Sequence, residues 1–298
     1  MNRRKTSLHF YIAFIFLLIT IVSCERNDEP APLSYKMTFA TTISAGEKVV
    51  LSIDAEKANQ ADVWVDLDNN GTRDANENPL FISNGNGSSL YVIKNKEITI
   101  HGKVSYFFCG TNKITTLDVS DNPYLVELYC GDNQIDNLDI SNNAQLKVLI
   151  CDLNNLTTLD VSKNNQLITL DCTRNKLLTL NLGQAPLRKL LCDFNQLQSL
   201  DISKNIELRE LKCRLNKIRA LDFSQNPALE FIACHNNAIN ASALTALMKS
   251  LPQRLSTRKG DVFMYMTPDL NAVPNSSDIT IANGKNWIVY ADNSAMQP

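Results

Sequence analysis

One stretch of this sequence, from about residue 104 to residue 239, repeats a single pattern seven times. The pattern is Leu-x-x-Leu-x-Cys-x-x-Asn-x-Leu, and its third copy runs from Leu146 to Leu156. Successive copies are 21 residues apart, except for one step of 20 residues between Cys172 and Cys192. A copy this short has too few apolar side chains to enclose a core alone, so the copies must stack and share one.

Two residue types mark every copy at a fixed place. The cysteines are Cys109, Cys130, Cys151, Cys172, Cys192, Cys213 and Cys234. The asparagines are Asn112, Asn133, Asn154, Asn175, Asn195, Asn216 and Asn237. The alternation in Leu-x-x-Leu-x-Cys predicts a short strand whose second leucine and cysteine point inward. The asparagine follows where the chain leaves this strand, so its amide can pair with backbone groups left unpaired in the turn.

This pattern resembles that of the leucine-rich repeat family, over roughly half of the chain. The resemblance implies an α/β repeat solenoid over residues 103–239, with a parallel β-sheet on its concave face and a mostly non-α convex side. The short repeat leaves little room for helices there, so we expect extended or 3₁₀ segments. The fourth copy is one residue short at 181–186. We expect Asn164 and Lys204 to offer positions on the convex side.

The seven repeat cysteines are predicted to be buried free thiols that act as small apolar side chains. Inward side chains on neighbouring parallel strands keep the strand spacing of about 4.8 Å. A disulfide requires Cβ atoms about 3.8 Å apart and a specific torsion angle. The absence of a Cys-x-x-Cys pair from the sequence also argues against a metal site.

Residues 1–23 are typical of a secretory signal peptide. A basic start precedes an apolar run from Phe10 to Val22, which is too short to span a bilayer. The ending Ile-Val-Ser-Cys24 resembles the lipobox of bacterial lipoproteins, which implies lipidation of Cys24 and a membrane anchor. Residues 24–33 then form a polar tether, and their acidic start resembles the export tags of Bacteroides-type lipoproteins at the outer membrane or cell surface. The alternative is an ordinary signal peptide with an incidental cysteine.

Residues 34–102 are predicted to form a small all-β, sandwich-like domain. Runs of alternating or β-branched residues, separated by glycine-containing turns, indicate short strands. These runs are residues 35–41, 49–53, 63–67, 90–93 and 97–101. We expect the last strand to lead into the first repeat and to cover the apolar end of the solenoid, because terminal repeats need a polar cover.

Within this segment, residues 66–77 match D-x-[DN]-x-[DN]-G-x₅-E at every position. The match resembles the calcium loop of EF-hand and dockerin proteins, and it makes Ca²⁺ the expected cofactor. The implied oxygen ligands are Asp66, Asp68, Asn70, Thr72, Asp74 and Glu77. Calcium takes six to eight oxygens, and Gly71 permits the sharp turn of such loops. The alternative is a polar Asn-Gly hairpin without an ion.

Residues 240–298 are predicted to cap the last repeat. Apolar residues at helical spacing between Ser242 and Leu251 indicate a short amphipathic helix. Two strands are expected at 261–266 and 287–290, with a helical turn near 278–282. The ending resembles the caps of Bacteroides-type repeat proteins.

The strand residues between the core positions are predicted to face the concave side. The first three copies place aromatic and aliphatic residues there, and such an exposed patch indicates an interaction site. These residues are Tyr106, Phe108, Tyr129, Val148 and Ile150. A charged zone follows, with Asp171, Arg174, Lys189, Lys212 and Arg214. The alternative is that the patch contacts the tether or the N-terminal domain.

These features favour a lipid-anchored envelope protein that recognises a protein or glycan ligand on its concave face. The second class is a structural envelope protein without a specific ligand. An enzyme, such as a carbohydrate-active one, is the third, but no motif supplies a positioned base and nucleophile. Without residues 1–23 the chain keeps 26 basic and 31 acidic residues, a net charge of about −5. This charge argues against nucleic acid as a partner, and we expect a monomer.

Overall fold

The computed structural model describes residues 34–81, 88–265, 271–291 and 294–295. Ser34–Pro298 form one compact unit. The predicted signal peptide, the lipidation site Cys24 and the tether lie outside the described residues. Among those that are described, no helix has the length and apolarity needed to cross a membrane.

The described chain contains eighteen strands and two α-helices. The strands before the repeats are β1 Lys36–Thr41, β2 Lys48–Asp54, β3 Trp64–Asp66, β4 Ser89–Val92 and β5 Glu97–His101. Those of the repeats are β6 Tyr106–Phe108, β7 Ile114–Asp118, β8 Glu127–Tyr129, β9 Val148–Ile150, β10 Thr158–Asp160, β11 Thr169–Asp171, β12 Thr179–Asn181, β13 Lys189–Leu191, β14 Glu210–Lys212 and β15 Phe231–Ala233. The cap has α1 Ala241–Ser250, β16 Gly260–Tyr265, α2 Ser276–Gly284, β17 Trp287–Ala291 and β18 Ser294–Ala295.

The repeats form a parallel-strand solenoid of the leucine-rich repeat type, as predicted. Each copy contributes one three-residue strand to the concave sheet, and neighbouring copies pair in parallel and in phase. In β8, for example, Leu128 is buried while Glu127 and Tyr129 on either side are half-buried. Each strand therefore sends its middle residue and the following cysteine inward and its two flanking residues to the concave surface.

The seven cysteines of the repeats are free and buried, which confirms the predicted thiol column. Burial raises the pKa of the Cys130 thiol to about 12, and it also raises the pKa of its neighbour Cys151. These thiols stay protonated because the apolar interior penalises the thiolate.

The first asparagine column joins each repeat to its neighbours. The Nδ2 of Asn154 donates to the carbonyl oxygens of Cys130 and Cys151, at 2.9 and 3.2 Å. Its Oδ1 accepts from the backbone N–H of Ile135 at 3.0 Å. The same pattern recurs along the column, so the predicted pairing of turn backbone is confirmed.

A second asparagine column, whose buried role we did not predict, stabilises the returning side of the repeats. Its buried members are Asn122, Asn143, Asn164, Asn205 and Asn226. The Nδ2 of Asn164 donates to the carbonyl oxygens of Ile140 and Asn143, both at 3.0 Å. Asn164 is therefore buried, and our expectation that it offers a position on the convex side is wrong. Lys204 is exposed, as expected.

The returning side of the repeats is extended or irregular. Residues 103–239 are all described, and they contain neither α-helix nor 3₁₀-helix. Strands β10 and β12 pair in parallel, with Leu159 beside Leu180. The shortened fourth copy turns at Gly183, whose φ of +54° suits glycine and where a Cβ would clash with Ser162.

The N-terminal strands lie in two sheets, and both sheets are continuous with repeat strands. One sheet has the order β3-β5-β1-β7. In the other, β2 pairs antiparallel with β6 and β4 pairs with β2, which extends the concave sheet to twelve strands. Asn112 fixes the junction, since its side chain bonds both the N–H and the carbonyl of Val50, at 2.8 and 2.7 Å.

The C-terminal cap continues the same concave sheet at its other end. Strand β16 pairs in parallel with β15, and β17 pairs with β16. Helix α1 begins after Asn240, whose side chain accepts from the N–H of Ala243, and it buries Leu244, Leu247 and Met248. The predicted helix and the two predicted strands are therefore present, and they cover the last repeat.

Candidate functional site

The concave surface of the first repeats carries aromatic and aliphatic side chains. Tyr106, Phe108, Tyr129, Val148 and Ile150 are all partly exposed, and they lie on three adjacent strands. The ring centroids of Tyr106 and Tyr129 are 5.3 Å apart and tilted by 40°. The Tyr129 hydroxyl donates to the Glu127 carboxylate at 2.8 Å. Burial, followed by this hydrogen bond, raises the pKa of Tyr129 above its usual range.

The N-terminal strands enlarge this surface, which the sequence did not reveal. Ser52 of β2 lies opposite Phe108, and Val50 lies opposite Leu90 of β4. Because residues two apart share a face, Val50, Leu90 and Val92 lie on the concave side. Leu90 and Val92 are 61% and 46% exposed. The concave patch, defined as these three residues with the five above, thus spans β4, β2, β6, β8 and β9.

The predicted charged zone is largely paired within the chain. Glu210 accepts from Lys189 at 3.3 Å and from Lys212 at 3.0 Å. Those two lysines lower the pKa of Glu210, against the effect of its partial burial. The Arg214 guanidinium forms an ion pair with Asp193, a carboxylate that is only 2% exposed. In the sequence, Asp193 and Arg214 each directly follow the cysteine of their repeat, and this equivalent placement of opposite charges could have predicted the pair.

Between the concave patch and the lysines lies a group of carboxylates. Burial and the neighbouring Asp171 carboxylate raise the pKa of Asp152, while Arg174 acts weakly in the opposite direction. Arg174 is exposed, and its guanidinium carbon lies 5.0 Å from the ring centroid of Phe194. No ion pair of Arg174 occurs among the residues that the structure describes.

A second aromatic group lies at the cap end of the concave sheet. The Phe231 and Phe263 ring centroids are 5.4 Å apart, and Phe263 stacks on Tyr290 at 4.5 Å. Lys212 lies 5.4 Å from the centroid of Phe231. The sequence predicted strands for the cap but not their continuation of the concave sheet, so this row of rings was missed.

The calcium-type loop follows β3 and ends in a 3₁₀ turn, Ala75–Glu77. Asp66 accepts from the N–H groups of Asn70 and Gly71, at 3.0 and 2.8 Å. Glu77 is fully buried and accepts from the N–H groups of Leu67 and Asp74, at 3.0 and 2.7 Å. The backbone N–H groups of the loop therefore orient the carboxylates of Asp66 and Glu77.

Three of the six predicted calcium ligands lie together. One carboxylate oxygen from each of Asp66, Asp68 and Glu77 lies within 4.8 Å of the others. The Oδ1 atom of Asp68 is buried and has no hydrogen-bond partner, which fits a cation in this place. Lys94 pairs with both Asp68 and Asp74, at 3.1 and 3.4 Å, and its ammonium group would have to move for an ion to bind. The Oδ1 of Asn70 accepts from the N–H of Thr72 at 2.6 Å.

A scan against protein-family models finds no match for this chain. A comparison with curated proteins finds none either.

Among solved structures, the chain is similar to three proteins of Listeria monocytogenes. The functional domain of InlJ, which includes a cysteine ladder, is 27% identical with a TM-score of 0.43, over 63% of this chain and 44% of that one. The internalin InlF is 20% identical with a TM-score of 0.47, over 60% of this chain and 50% of that one. The internalin InlC2 is 19% identical with a TM-score of 0.44, over 63% of this chain and 80% of that one. The match thus spans about half or less of the first two structures.

Proposed function

We propose that this chain is a binding protein that recognises a protein or glycan ligand through the concave patch. The observation that supports this proposal is the exposure of aromatic and aliphatic side chains on a rigid sheet, as at Tyr106, Phe108 and Tyr129. Rings held on a sheet lose little conformational entropy on binding and offer large contact areas, which suits binding hot spots. Leu90 and Val92 add exposed apolar area at the same end of the sheet.

A lipid anchor at Cys24 would hold this binding surface at the outer membrane or cell surface. The proposal rests on the lipobox-like sequence, because residues 1–33 lie outside the described part of the chain. Mass spectrometry of the mature N-terminus is the test. A diacyl or triacyl cysteine is expected, whereas a free terminus at Ser23 or Glu25 would overturn the anchor but not the binding surface.

We also propose that the loop binds one Ca²⁺ through Asp66, Asp68 and Glu77, joined by Asn70, Thr72 and Asp74 after rearrangement. The ion would neutralise three close carboxylates and tie β3 to the 3₁₀ turn. It would act as a structural cross-link, since Asp66 lies on a different sheet from the concave patch.

A ligand pull-down tests the main proposal. The bait is the soluble chain from Glu25 onward, and the prey are extracts of host and neighbouring cells. The matched bait carries Phe108→Ala and Tyr129→Ala, and a second control carries Lys204→Ala on the exposed convex side. A ligand retained by the parent and the Lys204 variant, but lost from the aromatic variant, supports the proposal. A ligand lost only from the Lys204 variant would place the binding site on the convex side and contradict the proposal. Failure to find any saturable ligand would favour a structural envelope protein.

A further inference from the structure

A second surface lies along the edge of the concave sheet, where the chain leaves each strand. The residue two places after each repeat cysteine has a positive φ in all seven copies. These residues are Thr111, Asp132, Leu153, Arg174, Phe194, Leu215 and Asn236, with φ between 52° and 62°. The rim stripe, as we name it, comprises the four large residues Leu153, Arg174, Phe194 and Leu215.

The left-handed conformation of the rim is imposed by the ladder between repeats. The N–H of Leu153 donates to the carbonyl of Thr173 at 2.9 Å, and the N–H of Phe194 donates to the carbonyl of Arg214 at 2.9 Å. The asparagine that follows each rim residue belongs to the first asparagine column, and its hydrogen bonds to the repeats hold it in place. The backbone therefore keeps this conformation whatever side chain the rim position carries.

Residue types that tolerate this conformation are glycine, asparagine and aspartate. Asp132 and Asn236 follow that preference near the two ends of the array, whereas Leu153, Phe194 and Leu215 in its middle do not. Strained residues persist where the surrounding structure holds them in place, and they cluster at functional sites.

These large side chains are not explained by burial. Leu153 and Phe194 are each 40% exposed, and Leu215 is 37% exposed. Arg174 lies between Leu153 and Phe194 in repeat order and stacks its guanidinium on the Phe194 ring at 5.0 Å. The rim stripe therefore presents one cation, without an ion pair among the described residues, between apolar side chains.

We propose that the rim stripe is a second recognition surface, and that its partner is a protein surface that presents a carboxylate flanked by apolar side chains. The carboxylate would pair with the Arg174 guanidinium, and the apolar groups would cover Leu153, Phe194 and Leu215. This surface is distinct from the concave patch, because none of its four residues lies in the strands of that patch, which are β4, β2, β6, β8 and β9.

The first test measures thermal unfolding and needs no partner. Phe194→Gly and Phe194→Ala remove the same ring, but only glycine relieves the backbone strain. We expect the glycine variant to melt at least as high as the parent, and the alanine variant to melt about 3 °C lower than the glycine variant. A glycine variant that melts no higher than the alanine variant would show that the backbone is not strained, and a glycine variant that melts well below the parent would show that the ring stabilises the fold. Either result would overturn the proposal.

The second test uses the dye 1-anilinonaphthalene-8-sulfonate, which combines an anionic group with aromatic rings as the proposed partner does. Phe194→Gly and Arg174→Gln should each weaken dye binding by about threefold or more. Arg174→Lys should restore most of it, and Leu178→Asn, at an exposed leucine outside the rim, should have no effect. If only Phe108→Ala and Tyr129→Ala weaken dye binding, the dye reports the concave patch and the rim proposal is overturned while the proposed function stands.

Discussion

The inner and outer faces of the concave strands differ in how strictly their residues repeat. On the inner face every copy places one large apolar side chain and one cysteine, from Phe107 and Cys109 to Ile232 and Cys234. On the outer face the same strands carry tyrosine, valine, threonine, lysine or glutamate. Stacking forces uniformity inside, because each side chain must fit against the same side chain of the next repeat. Nothing in the stacking fixes the outer residues, which leaves them available for recognition.

This difference predicts that changes inside should unfold the chain, while changes outside should leave folding nearly intact. The predictions below run from the largest expected effect on stability to the smallest.

The thiol column should make the fold sensitive to alkali. Burial raises the pKa of six of these thiols, including Cys130 to about 12. The folded state therefore holds protons that the unfolded chain loses above its ordinary thiol pKa. Stability should be constant below about pH 8.5 and then fall by about 1.4 kcal/mol per pH unit for each thiol.

Urea unfolding at pH 8, 9 and 10 measures this slope. Cys151→Ala removes one of these thiols, so its stability should decline less steeply with pH than that of the parent. Equal slopes in the two proteins would contradict the buried-thiol assignment.

Asn154→Ala should cost about 3 kcal/mol or more of unfolding free energy. The substitution leaves the carbonyls of Cys130 and Cys151 and the N–H of Ile135 without their partner, and buried unpaired backbone groups are costly. Chemical denaturation is the measurement. The neighbouring Asn155→Ala, which leaves that network intact, should change stability by less than about 0.5 kcal/mol.

Arg214→Ala should destabilise the chain by about 2 kcal/mol, because it leaves the buried carboxylate of Asp193 without its guanidinium partner. Lys212→Ala should cost less than about 1 kcal/mol, since its pair with Glu210 is half-exposed. Comparable losses in the two variants would show that the half-exposed pair of Lys212 with Glu210 supports the fold as much as the pair of Arg214 with the buried Asp193.

Calcium should stabilise the chain by about 1.4 kcal/mol when its concentration is ten times the dissociation constant. Extracellular modules of this kind bind calcium at about 10⁻⁴ to 10⁻³ M. Thermal unfolding with 10 mM calcium or with chelator is the measurement. Asp68→Asn should abolish the calcium effect and cost less than about 1 kcal/mol without calcium, because the Asp68 pair with Lys94 is partly exposed and its other oxygen has no partner.

Sequence periodicity was sufficient to predict the solenoid and the inward direction of its leucines and cysteines. It also predicted the outward direction of Tyr106 and Tyr129, because residues that alternate with core positions face the other way. These features depend on spacing within one repeat and on stacking with the next, so a single sequence contains them.

Features that depend on distant pairing were not predictable in this way. The antiparallel pairing of β2 with β6 joins residues more than fifty positions apart, and it brings Leu90 and Val92 to the concave patch. The burial of Asn164 also escaped prediction, because a polar side chain in a turn is usually exposed. The carbonyls of Ile140 and Asn143 in the preceding repeat, which its amide reaches, explain its position.

The double substitution Phe108→Ala and Tyr129→Ala tests the separation of the two faces most directly. Its unfolding free energy and its affinity for a captured ligand should be measured on the same preparation as the parent. We expect a loss of at most about 1 kcal/mol in stability and a loss of about 2 kcal/mol or more in binding, since hot-spot aromatics contribute mainly to binding. A large loss of stability with unchanged ligand affinity would contradict the assignment of recognition to the outer face.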